Sequence, residues 1–71
     1  MQVSYNKLWK LLIDKNMTRT QLRVKANIGT NALAKMGKNE FVSMEILAKI
    51  CETLECDIGD IVSFLKKQEQ L

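Results

Sequence analysis

A chain of 71 residues has room for one domain, and at this size folding buries only about 60 % of the unfolded surface, so stability is marginal. Hydrophobic residues at 46 % and charged residues at 27 % exclude a disordered polar chain, while no apolar run approaches the ~18 residues of a membrane span. The net charge of +3 hides an asymmetry: residues 1–39 carry eight basic residues against Asp14 alone, a balance of +7, and residues 40–71 carry three against seven acids, a balance of −4.

A basic half suggests a polyanionic partner, with ordinary solvated charge as the alternative. The opening residues MQVSYNKLWK set lysines within an amphipathic pattern rather than before an apolar stretch, so they do not read as a secretory signal, and a cytoplasmic location is expected.

No Pro occurs, the three Gly stand at 29, 37 and 59, and no window alternates polar and apolar residues. The expected class is all-α, with five helices in a core spanning about residues 4–65. Ser4 is placed to cap a first helix to about Lys15, whose Tyr5, Leu8, Trp9, Leu11, Leu12 and Ile13 cover an arc of roughly 200°. Thr18 and Gln21 have capping-box spacing for a second helix to about Ala26, with Leu22 and Ala26 inward and Asn27 ending it in the left-handed region. A third helix is expected from Thr30 to Met36, with Leu33 and Met36 inward and Gly37 as its stop. Ser43 caps a fourth, striped by Ile46, Leu47, Ile50, Cys51 and Leu54. Asp57, with Asp60 three residues on, opens a fifth in which Ile58, Ile61, Val62 and Leu65 recur at helical spacing; residues 66–71 are a polar tail expected to fray.

Two short helices joined by a tight turn form a helix-turn-helix candidate. The stretch M-T-R-T-Q-L-R-V-K-A-N-I-G-T-N-A-L-A-K-M, residues 17–36, resembles the helix-turn-helix of the Cro and phage-repressor (XRE-like) family at Thr18, Leu22, Lys25, Ala26, Ile28 and Leu33, with Asn27 in the usual place of the turn glycine. Downstream, V-S-M-E-I-L-A-K-I-C-E-T-L-E-C-D-I-G-D-I is similar to the family's later helices, so the likeness covers about residues 5–65. It implies a lambda-repressor-like domain that binds double-stranded DNA as a transcriptional regulator. There are departures from the pattern. Arg19 replaces a common Gln, Arg23 stands where a small Ala is usual, Leu12 and Gly37 replace an Arg and a Glu that often pair, and Glu40 puts a negative charge in the loop after the third helix.

By the resemblance, the first exposed residues of the third helix enter the major groove. That assigns base reading to Thr30, Asn31 and Lys35, with Ala34 beside them. Asn suits adenine N6 and N7, Lys suits guanine O6 or N7, and Ala34 or the Thr30 methyl suits a thymine methyl. Phosphate contacts are assigned to Arg19 and Lys38, with Asn39, Lys10 and Arg23 as helpers. The surplus apolar arc of the first helix, together with Phe64 outside the fifth helix's stripe, predicts a homodimer whose interface candidates are Trp9, Ile13 and Phe64; for Trp9 the alternative is packing against the fifth helix. With no His, no Gly-rich phosphate loop and no convincing acid pair, neither an enzyme nor a metal or cofactor site is expected. Cys51 and Cys56 read as buried thiols. The rival function is a protein-interaction module, antitoxin-like or anti-repressor, using the same fold without specific DNA binding.

Overall fold

The chain folds into four α-helices, Asn6–Asp14 (α1), Arg19–Ala26 (α2), Thr30–Gly37 (α3) and Met44–Leu54 (α4), followed by one 3-10 turn at Ile58–Asp60. Two short strands, Gln2–Ser4 (β1) and Ser63–Leu65 (β2), join the two ends of this body antiparallel, with Val3 opposite Phe64. The computed structural model describes residues 2–65, and the tail expected at 66–71 lies outside the described residues.

Local chemistry accounts for the starts of the helices. The Thr18 hydroxyl accepts from the Gln21 amide at 3.0 Å while the Gln21 side chain accepts from the Thr18 amide at 2.8 Å, a reciprocal capping box at the head of α2. Ser43 caps α4 by accepting from the Ile46 amide at 3.2 Å. Ser4 does not cap α1 as expected. It is buried in β1 opposite Ser63, its hydroxyl accepts from the Asn6 amide at 3.3 Å, and Tyr5 takes the cap position without a side-chain bond.

The ends of all four helices share one solution. Asn16, Asn27, Asn39 and Glu55 lie in the left-handed region, with φ of 55°, 57°, 57° and 55°. The amides that follow, Met17, Ile28, Glu40 and Cys56, reach back five residues to the carbonyls of Leu12, Arg23, Lys35 and Cys51 at 2.9 to 3.1 Å, the long bond of the Schellman motif. Gly37 is therefore not the stop of α3. Its φ is not positive, it sits in the last turn, and Asn39 makes the reversal two residues later. Glu55 makes the same turn without Asn's local hydrogen-bonding advantage. Glu55→Gly is expected to raise stability by about 0.5 to 1 kcal/mol, read as a higher urea midpoint at unchanged m-value.

The expected fifth helix is replaced by a turn and a strand. Its start is as read: the Asp57 carboxylate accepts from the Ile58 amide at 2.8 Å and Asp60 accepts from the Asp57 amide at 3.0 Å. Helix stops after Asp60 because the next apolar residues, Ile61, Val62 and Phe64, suit an extended backbone, and β1 offers residues 63–65 a ladder. Ile61 still reaches the core, whereas Leu65 is exposed.

The core collects Val3, Tyr5, Leu8, Leu12, Leu22, Ala26, Ile28, Met36, Leu47, Ile50, Leu54 and Ile61. Two side-chain bonds tie distant segments to it. The Tyr5 hydroxyl donates to the Glu40 carbonyl at 2.7 Å, and burial raises its pKa against a lowering backbone hydrogen bond at Val42. Lys7 Nζ donates to the Gly59 carbonyl at 3.0 Å, fastening α1 to the 3-10 turn.

Candidate nucleic-acid interface

Helices α2 and α3 are joined by three residues, Asn27, Ile28 and Gly29, and the middle one is buried. Ile28 thus pins the turn to the core. Gly29 occupies the cap position of α3 with extended backbone and no side-chain cap, which leaves the first-turn amides of α3 free to face an anion or water.

On α3 the buried residues are Ala32 and Met36; Leu33, expected inward, is only half-buried. At 100° per residue the inner face is centred between Ala32 and Met36, with Leu33 on one flank. The opposite face is the one assigned to base reading: Thr30, Asn31, Ala34 and Lys35 are all exposed. From residue 15 to residue 39 the chain carries six basic residues, Lys15, Arg19, Arg23, Lys25, Lys35 and Lys38, and no acid. This face and its surroundings are therefore a site of positive potential with amide, hydroxyl, methyl and ammonium groups displayed on a rigid helix, a set able to read base edges.

The residues assigned to phosphate divide by place. Arg19 is the first residue of α2 and is exposed; its guanidinium carbon lies 3.7 Å from the centroid of the Trp9 ring on α1. Lys38 and Asn39 are exposed in the turn after α3, held by the Asn39 reversal and by the Tyr5 bond to Glu40. Arg23 is half-buried, so its stem is laid along the protein as its position between α2 and α3 requires. Lys10 is set apart from these: it lines a groove with Lys7, Asp14, Lys15, Glu55 and Asp60, where carboxylates partly neutralise it.

The interface candidates also separate. Trp9 is half-buried beneath Arg19, Ile13 is 72 % exposed, and Phe64 lies on β2 rather than on a helix. Sequence reasoning missed Phe64's partner, Phe41, whose ring centroid is 6.3 Å away at a tilt of 48°. It also missed the Trp9–Arg19 stack. The signal available was only their separate helical positions, because the crossing of α1 over the head of α2 is a tertiary fact.

A sequence model of the Cro/C1-type helix-turn-helix DNA-binding domain matches residues 7–67. The chain belongs to this family. It is also similar to a solved structure described as the transcriptional regulator VanUg (Form II), at 52 % identity and a TM-score of 0.90, over 93 % of this chain and 88 % of that one. No curated protein matches it. Within the matched span, the two short helices joined by a three-residue turn are α2 and α3. Among the described residues no helix is long and apolar enough to cross a membrane, and no three His, Cys, Asp or Glu side chains cluster as metal ligands would.

Both cysteines are free and lie half-buried on the far side of this Cro/C1-type domain, at the end of α4. Burial, followed by the adjoining Cys56 thiol and then Asp57 and Asp60, pushes the Cys51 thiol up to about 11. At pH 8 its thiolate is scarce, so alkylation in the folded protein is expected to run on the order of a hundredfold slower than in the urea-unfolded chain, and to accelerate about tenfold per pH unit. Labelling of Cys51 at the unfolded rate would contradict its packing.

Proposed function

We propose that this Cro/C1-type domain is a transcriptional regulator that binds a specific duplex DNA sequence as a homodimer, with Thr30, Asn31, Ala34 and Lys35 of α3 in the major groove. The observation that carries the reading is the exposed, acid-free face of α3, set behind an uncapped N-terminus and flanked by cations. Arg19, Lys38 and Asn39 take the phosphates on either side, with Arg23 behind them, while Lys10 shares its groove with Asp14, Glu55 and Asp60 and acts at longer range. Such a protein works where its DNA is, in the cytoplasm. Dimerisation is supported by an exposed apolar cluster of Phe41, Met44 and Phe64 around a trough of about 370 Å³ floored by Val3, Tyr5 and Leu47.

The test is selection of bound fragments from a random duplex library with the purified chain, followed by sequencing. Enrichment of a site with two related halves about one helical turn apart is expected. Binding that enriches nothing, together with stoichiometric capture of one polypeptide in the absence of DNA, would favour the protein-interaction module instead.

A further inference from the structure

We infer that Trp9 is a positioning residue for DNA binding: its indole face holds the Arg19 guanidinium flat at the head of α2, leaving the N–H edge free to grip a phosphate. The inference rests on the proposed DNA reading and adds to it a residue that touches no nucleic acid.

The geometry separates two uses of one side chain. A guanidinium is attracted to an aromatic ring through its face, whereas its five N–H donors radiate from its edge. With the guanidinium carbon 3.7 Å from the Trp9 centroid, the face is occupied and the edge is not. Among the described residues the side-chain hydrogen bonds all involve other groups, so no carboxylate or carbonyl draws the Arg19 fork inward. Arg19 is exposed at the first position of α2, where the helix's positive end also favours an anion.

Gly37 forms the other side of this slot. A Cβ built on it would stand 3.7 Å from Arg19 Nη1, an ordinary contact, so the guanidinium lies beside the last turn of α3. The backbone of Gly37 does not demand glycine, since its φ is not positive. Arg19 thereby links α1, α2 and the C-terminal turn of the recognition helix. A free arginine loses rotamer entropy when it binds phosphate; one already stacked has lost part of it before DNA arrives. Trp9 itself is half-buried against the core, so the platform is fixed.

The experiment is a double-mutant cycle in DNA binding, using the duplex obtained by selection and four chains: wild type, Trp9→Leu, Arg19→Ala and the double variant. Arg19→Ala should weaken binding about tenfold and reduce the salt slope by roughly one unit. Trp9→Leu should weaken it about three- to tenfold. The decisive expectation is non-additivity: in the Arg19→Ala background, Trp9→Leu should cost less than about twofold. Trp9→Phe, which keeps an aromatic face, should recover most of the loss, and Trp9→Met, which fills the site without an aromatic face, carries the same cycle if the Leu variant is unfolded.

A Trp9→Leu loss of the same size in both backgrounds would assign Trp9 to packing alone and overturn the inference. Wild-type affinity in Arg19→Ala would also overturn it, while leaving the reading of bases by α3 standing. Failure of the wild-type chain to select any duplex would remove the DNA reading itself and this inference with it.

Discussion

Asn31→Ala is expected to weaken binding to the selected duplex by about 1 to 3 kcal/mol, roughly five- to more than a hundredfold, and to relax the preference at one position of each half-site. Asn31 is exposed in the first turn of α3, two residues beyond the uncapped Gly29, and its side chain takes part in none of the side-chain hydrogen bonds among the described residues. The folded domain therefore loses nothing with the amide, and Ala is the better helix former by a few tenths of a kcal/mol. Any loss of affinity is a loss at the DNA. A carboxamide that donates its N–H to adenine N7 and accepts from adenine N6–H₂ through its carbonyl fits adenine alone among the major-groove edges, so its removal must change which sequences bind, not only how tightly. Arg19→Ala supplies the contrast, because a phosphate contact weakens all sequences alike and lowers the salt dependence. Full discrimination between sites retained by the Asn31 variant, measured by competition against single-base changes, would place the reading face elsewhere.

Much of this was legible in the chain because it is local. The Thr18–Gln21 box, the Ser43 cap, the Asn27 reversal and the Asp57–Asp60 box each depend on residues no more than five apart, and each is present. The exposed face of α3 follows from helical spacing once Met36 is fixed inside. What was illegible depends on encounters between remote segments. Residues 58–65 carry a helical repeat and a β-branched composition at once, and only the arrival of Gln2–Ser4 decides for a strand. Leu33 is only half-buried, with Ala32 and Met36 on the inner side of α3 instead. Gly37 looked like a stop, yet the reversal is made by Asn39, and Gly37 lies beside the Arg19 guanidinium. Trp9, read as core or interface, has the Arg19 guanidinium over its ring, a contact between residues ten apart in the chain that spacing within one helix does not reveal.

Apart from Ile13 and Val24, the exposed large apolar residues gather on the face around Phe64, where the second large effect is expected. Phe41, Met44 and Phe64 are 63 %, 68 % and 60 % exposed, and the two rings lean on one another over the trough between β2 and the start of α4. A second copy placed about a two-fold axis there covers the same residues on both sides, as an isologous interface requires. The loop from Lys38 to Phe41 joins this face directly to the end of α3, so the axis would set the spacing of two recognition helices toward the ~34 Å between successive major grooves. In Phe64→Glu the free domain keeps its fold, because the new carboxylate stands largely in water. In the dimer the same substitution desolvates a charge and brings it toward its own symmetry mate, so association is expected to weaken by about tenfold or more. Affinity for a two-half site should fall with it, since the second half-site contact is no longer intramolecular, while binding to a single isolated half-site should be unchanged. Sedimentation and half-site titration together check this. A wild-type chain that stays monomeric at high micromolar concentration, both free and on DNA, would defeat the dimer, and a dimer indifferent to Phe64→Glu would move the interface away from β2.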